Sequence, residues 1–140
     1  MVNKMILNLI TKKMGKLFNN KNILVIDDDE YSRLLVTELL KDSSCNIITA
    51  KNGIEGLAKY LNNMVDLVLL DINMPGMDGF ETLLKLKEID NNAEIIMCTS
   101  NTDYHQKVYD AGAIAYLTKP IIGKNLLNVI DMVFKLQKVA

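Results

Sequence analysis

Residues Leu69–Gly79 read LLDINMPGMDG, an apolar run that ends at an aspartate and continues into a loop containing proline and glycine. The run Val65–Leu70 is rich in valine and leucine, which predicts a buried β-strand. Asp71 follows it, and the Met-Pro-Gly sequence at 74–76 predicts a bend that leaves the Asp71 carboxylate accessible. A buried strand followed by an accessible acid is typical of ligand sites in α/β proteins.

The same strand-then-helix pattern recurs five times along the chain. The predicted strands are Ile23–Ile26, Cys45–Ala50, Val65–Leu70, Glu94–Cys98 and Ile114–Leu117. The predicted helices are Asp29–Lys41, Asn52–Leu61, Gly79–Ile89, Thr102–Ala111 and Lys124–Lys138. Because parallel strands need crossover connections, this alternation predicts an α/β fold with a doubly wound parallel sheet covered by helices on both faces.

Local signals at the helix ends agree with this assignment. Asn52 and Asp78 are suitable N-cap residues, since their side chains can accept hydrogen bonds from the first turn. Gly112 follows the fourth predicted helix at the position where a left-handed residue is usual. Cys45 and Cys98 lie in apolar runs without the spacing of a zinc or redox motif, so we predict buried free thiols.

Composition limits the classes of protein to which the chain can belong. Its 140 residues, 49% of them hydrophobic, fit one domain with a single core. A net charge of −1 and an aromatic content of 6% give no indication of nucleic-acid binding. No stretch of about 18 apolar residues predicts a membrane span, and no signal peptide is evident. We therefore expect a cytoplasmic protein.

Acidic residues follow two of the predicted strands. Asp27 and Asp28 follow the first strand and Asp71 follows the third, while Thr99 and Lys119 end the fourth and fifth. Ligands bind beyond the carboxyl ends of strands in open α/β sheets, so we expect the three acids in one pocket with Thr99 and Lys119 at its rim. Carboxylates held together repel one another, and Mg²⁺ is the cation that suits such hard oxygen ligands.

A carboxylate beside a metal and a lysine can itself accept a phosphoryl group. Asp71 is the best candidate acceptor, with Lys119 to neutralise charge and the Thr99 hydroxyl to donate to a phosphoryl oxygen. Each residue alone also has a plain structural interpretation: the acids at 27–30 as a solvated loop, Asp71 as a turn residue and Lys119 as surface charge. Their joint placement at strand ends favours the site.

Five motifs lie in register along the chain. They are ILVIDDD at Ile23–Asp29, KNGIEGL at Lys51–Leu57, LVLLDINMPGMDGFE at Leu67–Glu81, IIMCTSN at Ile95–Asn101 and AGAIAYLTKP at Ala111–Pro120. With these motifs the chain resembles the receiver domain of two-component response regulators, of the stand-alone chemotaxis or phosphorelay type, over residues 22–138. The resemblance implies a five-stranded, flavodoxin-like fold with strand order 2-1-3-4-5.

The resemblance also implies roles for the site residues. Asp71 would accept a phosphoryl group from a phosphohistidine on a sensor histidine kinase or a histidine phosphotransfer protein. Asp28, Asp71 and the backbone carbonyl of Asn73 would ligate Mg²⁺, with Asp27 acting through water. Asn73 and Asn101 would influence the lifetime of the phosphorylated state.

Thr99 and Lys119 would sense and hold the phosphoryl group, and Tyr116 would be the aromatic switch that moves with Thr99. The Lys119–Pro120 peptide bond would be cis. The expected output face, which contacts a downstream protein target, consists of the segments Thr102–Ala111, Ile114–Leu117 and Lys124–Lys138. We interpret His105, within this face, as an ordinary surface residue without a catalytic role.

Residues 1–21 depart from the family pattern. They contain no acid, and their lysines are Lys4, Lys12, Lys13, Lys16 and Lys21. Apolar residues recur with helical spacing, which predicts a basic amphipathic helix preceding a receiver domain at 22–140. The sequence leaves open whether this helix packs on a partner or a second copy of the chain, docks on its own receiver domain, frays, or lies on a membrane surface.

Other functions remain as alternatives. With two residues after the last predicted helix, we expect output through a protein contact, as a free-standing regulator, a phosphorelay intermediate or the receiver portion of a hybrid kinase. A receiver-like scaffold that needs no phosphorylation would not require the whole set of site residues. A phosphatase with an aspartyl-phosphate intermediate needs a second acid where this chain has Asn73, so we expect no enzyme beyond self-assisted phosphorylation and dephosphorylation.

Overall fold

The computed structural model of the chain describes residues 3–6, 9, 18–100 and 102–139. Residues 4–6 and 9 are helical, as the prediction of an N-terminal helix requires, and residues 7, 8 and 10–17 lie outside the described part. The predicted extent of that helix, 1–21, was wrong at its end, because residues 18–21 are not helical and Asn20 has a φ of +62°. Asn101, expected to influence the phosphoryl lifetime, also lies outside the described residues.

Over the described residues from 18 onward, five strands and five α-helices alternate, as the sequence predicted. The strands are β1 (Asn22–Ile26), β2 (Asn46–Ala50), β3 (Leu67–Asp71), β4 (Ile95–Thr99) and β5 (Ala115–Thr118). The helices are α1 (Glu30–Leu40), α2 (Gly53–Asn62), α3 (Gly79–Ile89), α4 (His105–Asp110) and α5 (Gly123–Val139). Among the described residues, no helix is long and apolar enough to cross a membrane.

The strands form one parallel sheet in the order β2-β1-β3-β4-β5, which confirms the predicted order. The chain first adds a strand on one side of β1 and then returns to add β3 on the other side. This reversal makes β1 and β3 neighbours, with Ile26 paired to Leu70 at their carboxyl ends. The residues that follow β1 and end β3 therefore meet at one edge of the sheet.

Two apolar clusters cover the two faces of the sheet, because successive residues of a strand point to opposite sides. Val25 and Leu69 face α1 and α5 on one side. Leu24 and Leu70 face α2, α3 and α4 on the other. Burial on both sides explains why the strands are continuous apolar runs rather than alternating ones.

The predicted boundaries were wrong by one or two residues at most strand ends. β3 starts at Leu67 instead of Val65, because Asp66 bonds the main chain of Asn22 through its side chain (2.7 Å) and its own N–H (2.8 Å) before the strand begins. It includes Asp71, which is its last residue rather than the first residue of the loop.

β2 begins at Asn46, the first residue paired with β1, so Cys45 lies outside it and is partly rather than fully buried. Cys98 is buried, and both thiols are free.

The helix predicted for Thr102–Ala111 is a 3-10 turn at Thr102–Tyr104 followed by the short α4. Tyr104 stands at the N-cap position and makes no side-chain capping bond, which leaves the start of α4 weakly defined. The other signals were right. Asn52 and Asp78 each accept a backbone N–H three residues on, at 2.8 Å, and Gly112 has a φ of +107°.

The end of the N-terminal segment packs on the sheet domain. Phe18 is fully buried, and its ring meets Phe134 of α5 edge-on with centroids 5.6 Å apart. Lys21 lies over the same Phe134 ring at 5.3 Å. Nearer the N-terminus, Met5, Ile6 and Leu9 are exposed. The C-terminal end of the segment is therefore packed on the core. The predicted boundary between an N-terminal segment at 1–21 and a receiver domain at 22–140 stays a prediction.

Gly79 fixes the loop between β3 and α3. A Cβ at this position would lie 2.0 Å from the carbonyl oxygen of Asp71, and the Gly79 N–H donates to Ile72 at 2.9 Å. Only glycine lets the start of α3 approach the end of β3 so closely. The loop between them is thus held tightly at both ends.

We predict that Gly79→Ala destabilises the protein by about 3 kcal/mol, because backbone atoms must move to accept the methyl group. Gly76→Ala is the matched control, since a Cβ there would meet nothing within 4 Å and only the left-handed backbone, with φ +76°, opposes it. We expect it to lose about 1 kcal/mol. Urea unfolding measures both, and equal losses would contradict the close contact.

Candidate functional site

Three carboxylates gather beyond the carboxyl ends of β1 and β3, as predicted. Asp27 and Asp28 follow β1, and Asp71 ends β3. Each offers an oxygen, and these oxygens all lie within 4.8 Å of one another. Asp27 and Asp71 are buried, whereas Asp28 is exposed. The pocket thus has two acids at its base and one at its opening.

Hydrogen bonds hold the acidic loop after β1. The Asp27 carboxylate accepts the Asp29 N–H at 2.9 Å, and Asp29 in turn caps α1. The guanidinium of Arg33 donates to the Asp27 carbonyl at 2.7 Å. Sequence reasoning missed Arg33, although the chain's only arginine, six residues after Asp27 on the next helix, was a usable signal. Arg33 therefore helps to hold the loop after β1.

Lys119 connects the two buried acids. Its ammonium group lies 3.0 Å from Asp27 Oδ2 and 3.1 Å from Asp71 Oδ1. The backbone N–H of Lys119 donates to the Thr99 carbonyl at 2.8 Å, which attaches the loop after β5 to the end of β4. The Lys119–Pro120 bond is cis, as expected. A lysine from the far end of the chain is therefore the counterion of the acid pair.

Burial and charge shift the ionisation of this group. The pKa of Asp71 rises from 3.8 to about 6, first because burial disfavours the carboxylate and second because the charge of Asp27 lies close, while Lys119 acts in the opposite direction. Burial alone would lower the pKa of Lys119, but its bonds and charge interactions with Asp27 and Asp71 raise it overall. The single positive charge of Lys119 therefore does not fully offset the burial and mutual repulsion of the two carboxylates.

The remaining predicted residues surround this centre. Thr99 is buried at the end of β4, one residue after the Cys98 that pairs with Asp71. Asn73 is exposed in the loop after β3, and its backbone N–H bonds to Asp71 and lowers the pKa of that acid. Tyr116 is partly buried in β5, where it pairs with Met97 of β4.

His105 is not the ordinary surface residue that we predicted. It is partly buried, and its ring stacks on Tyr116 with centroids 3.3 Å apart and planes 25° from parallel. Sequence reasoning missed the contact because the two residues lie on different elements.

The pocket suits a hard divalent cation. Three carboxylates converge without a histidine or thiol ligand among the described residues, and Mg²⁺ takes one or two carboxylates while keeping several waters. The exposed Asp28 leaves room for such waters. A bound Mg²⁺ would also relieve the unfavourable ionisation of Asp71.

Comparison with known proteins agrees with this geometry. The family model of the response regulator receiver domain matches residues 23–131. The chain belongs to this family. The chemotaxis protein CheY of Halobacterium salinarum is 38% identical over 113 residues, which cover 79% of this chain and 94% of that protein. Sporulation initiation phosphotransferase F of Bacillus subtilis is 36% identical over 103 residues, which cover 72% of this chain and 83% of its own length.

A solved structure of the CheX-CheY-BeF3-Mg+2 complex from Borrelia burgdorferi contains a chain with a TM-score of 0.81 and 30% identity, covering 86% of this chain and 98% of that chain. The predicted family and fold are therefore confirmed. The receiver domain is of the CheY type, and its acidic pocket is consistent with the Mg²⁺ site of such domains and with a phosphorylation-dependent signalling switch.

We predict that Asp71→Asn stabilises the metal-free receiver domain. Because the folded-state pKa of Asp71 lies above its unfolded value, this group favours folding less as pH rises from 3.8 to about 6. Removing its charge should add about 1–3 kcal/mol at pH 7.5, and the gain should vanish only below about pH 3, where the acid is protonated in both states.

Urea unfolding in EDTA at several pH values measures this difference. Asp42→Asn, which removes an exposed acid outside the pocket, is the control and should change stability by less than about 0.5 kcal/mol. A loss of stability in Asp71→Asn at pH 7.5 would show that Lys119 compensates the acids more fully than their burial suggests.

Proposed function

We propose that the receiver domain is a phosphorylation-dependent signalling switch in which Asp71 accepts a phosphoryl group from a phosphohistidine of a sensor histidine kinase or a histidine phosphotransfer protein. One observation carries this proposal: a buried acid with a raised pKa lies within metal-bridging distance of Asp27 and Asp28 and within 3.1 Å of the Lys119 ammonium. Family membership agrees with it. The cytoplasmic location expected from the sequence is part of the same proposal.

Mg²⁺ would be held by Asp28, Asp71 and the Asn73 carbonyl, with Asp27 acting through water, and would neutralise charge on the transferring group. An Asp71 carboxylate oxygen forms the new bond to phosphorus as the bond from phosphorus to the donor imidazole nitrogen breaks. Lys119 contacts the acceptor oxygen already and supplies positive charge along this path. The ion pair also favours the ionised Asp71 that the reaction requires.

The phosphorylated aspartate carries additional negative charge at the ends of β3 and β4. Lys119 and the Thr99 hydroxyl move toward it. Because Lys119 belongs to the loop after β5, this movement is transmitted to β5. Tyr116 of β5 moves with Thr99. The surface formed by α4, β5 and α5 then changes its affinity for a downstream protein.

A phosphorelay intermediate is the second candidate. The likeness to a sporulation phosphotransferase favours it, and the likeness to chemotaxis proteins favours a terminal regulator. Transfer of the phosphoryl group to a second histidine protein would identify the relay, whereas phosphorylation-dependent binding without transfer would identify the regulator. The same domain could also be part of a hybrid kinase.

Sustained phosphatase activity has less support. A phosphatase of the aspartyl-phosphate type needs a general acid close to its nucleophile, and the residue two positions after Asp71 is Asn73, whose amide cannot donate that proton. We therefore propose a signalling domain that assists only its own phosphorylation and dephosphorylation.

We predict that acetyl phosphate with Mg²⁺ adds one phosphoryl group to the wild-type protein and none to Asp71→Asn, as measured by intact mass. EDTA should abolish the reaction. Asp78→Asn is the matched control, because it changes an exposed acid of the same loop while an asparagine can still cap α3. It should react as the wild type does.

Equal modification of wild type and Asp71→Asn would place the acceptor elsewhere and defeat the proposal. Turnover of an aryl phosphate well beyond one equivalent would favour the phosphatase instead.

A further inference from the structure

An aromatic cluster joins α4 to β5 on the face that we propose changes upon phosphorylation. The His105 ring stacks on Tyr116 at 3.3 Å, and the Tyr109 ring meets the same Tyr116 edge-on at 5.5 Å and 72°. His105 and Tyr109 lie one turn apart on α4 and hold Tyr116 from two directions. The position of the Tyr116 ring thus depends on both of them.

The stacked position of His105 leaves one of its polar atoms without a hydrogen bond to the described part of the chain. Its Nε2 atom is fully buried and has no hydrogen-bond partner among the described residues. A buried polar atom without a partner is unfavourable, so the stacking must outweigh the loss of hydration. A histidine in this position therefore makes a weaker stack than a phenylalanine of similar shape would make.

The aromatic cluster lies near the proposed phosphorylation site, as the pairing of β4 with β5 shows. Tyr116 pairs with Met97, and two residues along the same pair of strands Thr99 pairs with Thr118. Lys119 follows directly and contacts Asp71. A rearrangement at Asp71 and Thr99 would therefore act on Thr118 and Lys119, which are two and three residues from Tyr116 along the chain.

We infer that His105 is a positioning residue, which holds Tyr116 in the orientation of the unphosphorylated state and so opposes the switch. This inference rests on the proposed function, because it assumes that Tyr116 moves when Asp71 is modified. Moving the ring requires breaking the stack with His105. The unsatisfied nitrogen keeps the stack weak enough for phosphorylation to break it.

The structural part can be tested without phosphorylation. His105 is the only histidine, so its ring protons give an unambiguous NMR signal. We expect this signal to lie upfield of its position in the urea-unfolded protein, because the Tyr116 ring lies against the imidazole. Tyr116→Phe should retain the shift and Tyr116→Leu should remove it. A signal at the unfolded position in the wild type would overturn the inference whatever the outcome at Asp71.

The functional part uses beryllofluoride with Mg²⁺ as the phosphoryl mimic and compares its apparent Kd for wild type, His105→Ala and His105→Phe at one pH. Losing the stack should tighten binding in His105→Ala by roughly threefold to tenfold. His105→Phe keeps the stack and removes the buried nitrogen, so it should weaken binding by roughly threefold. Circular dichroism confirms that each variant is folded.

Tighter binding by His105→Ala together with weaker binding by His105→Phe is the signature of a positioning role. Any other pattern, including unchanged affinity, shifts of the same sign or the reverse pair of shifts, would overturn the inference. If beryllofluoride binds none of the proteins while the upfield shift is present, the proposed function is wrong. The role of His105 in opposing the switch is then wrong as well, but the stacking contact between His105 and Tyr116 is confirmed.

Discussion

The repulsion between Asp27 and Asp71 is the constraint on which the arrangement of the site depends. The order of the sheet makes β1 and β3 neighbours, so the two acids that follow and end these strands are forced into one buried pocket. The ionisation of two such groups side by side is unfavourable unless positive charge is supplied. Lys119 supplies one charge and leaves the pKa of Asp71 raised. This incomplete neutralisation makes the pocket suitable for a divalent cation, in keeping with the proposed function.

The sequence was sufficient for the order of the elements and for the residues of the pocket, because both depend on strong local signals. Continuous apolar runs separated by amphipathic stretches have few interpretations, and acids at strand ends are conspicuous when parallel strands bring those ends together. The strand limits were less predictable. Asp66 bonds the main chain of Asn22, a residue 44 positions away, and such a contact leaves no mark on the local pattern that defines a strand.

The same argument explains the two missed residues. Arg33 acts through a bond to the backbone of Asp27, and His105 acts through the ring of Tyr116 on another element. Neither role follows from spacing alone, because each requires the direction of a side chain in three dimensions. For His105 the element itself was also predicted wrongly, since the predicted single helix is a 3-10 turn followed by α4, which begins at His105.

The parts of the fold that surround the pocket differ in how firmly they are held. β1 and β3 lie inside the sheet, and the start of α3 is in close contact with the carbonyl of Asp71, so Asp71 itself can move little. β5 is an edge strand of four residues, and α4 has six residues and no side-chain cap. Local stability is lowest where few hydrogen bonds and few buried contacts restrain a segment. Under the proposed function, a change in charge at Asp71 would therefore be expressed at β5 and α4, where the stack between His105 and Tyr116 would oppose it.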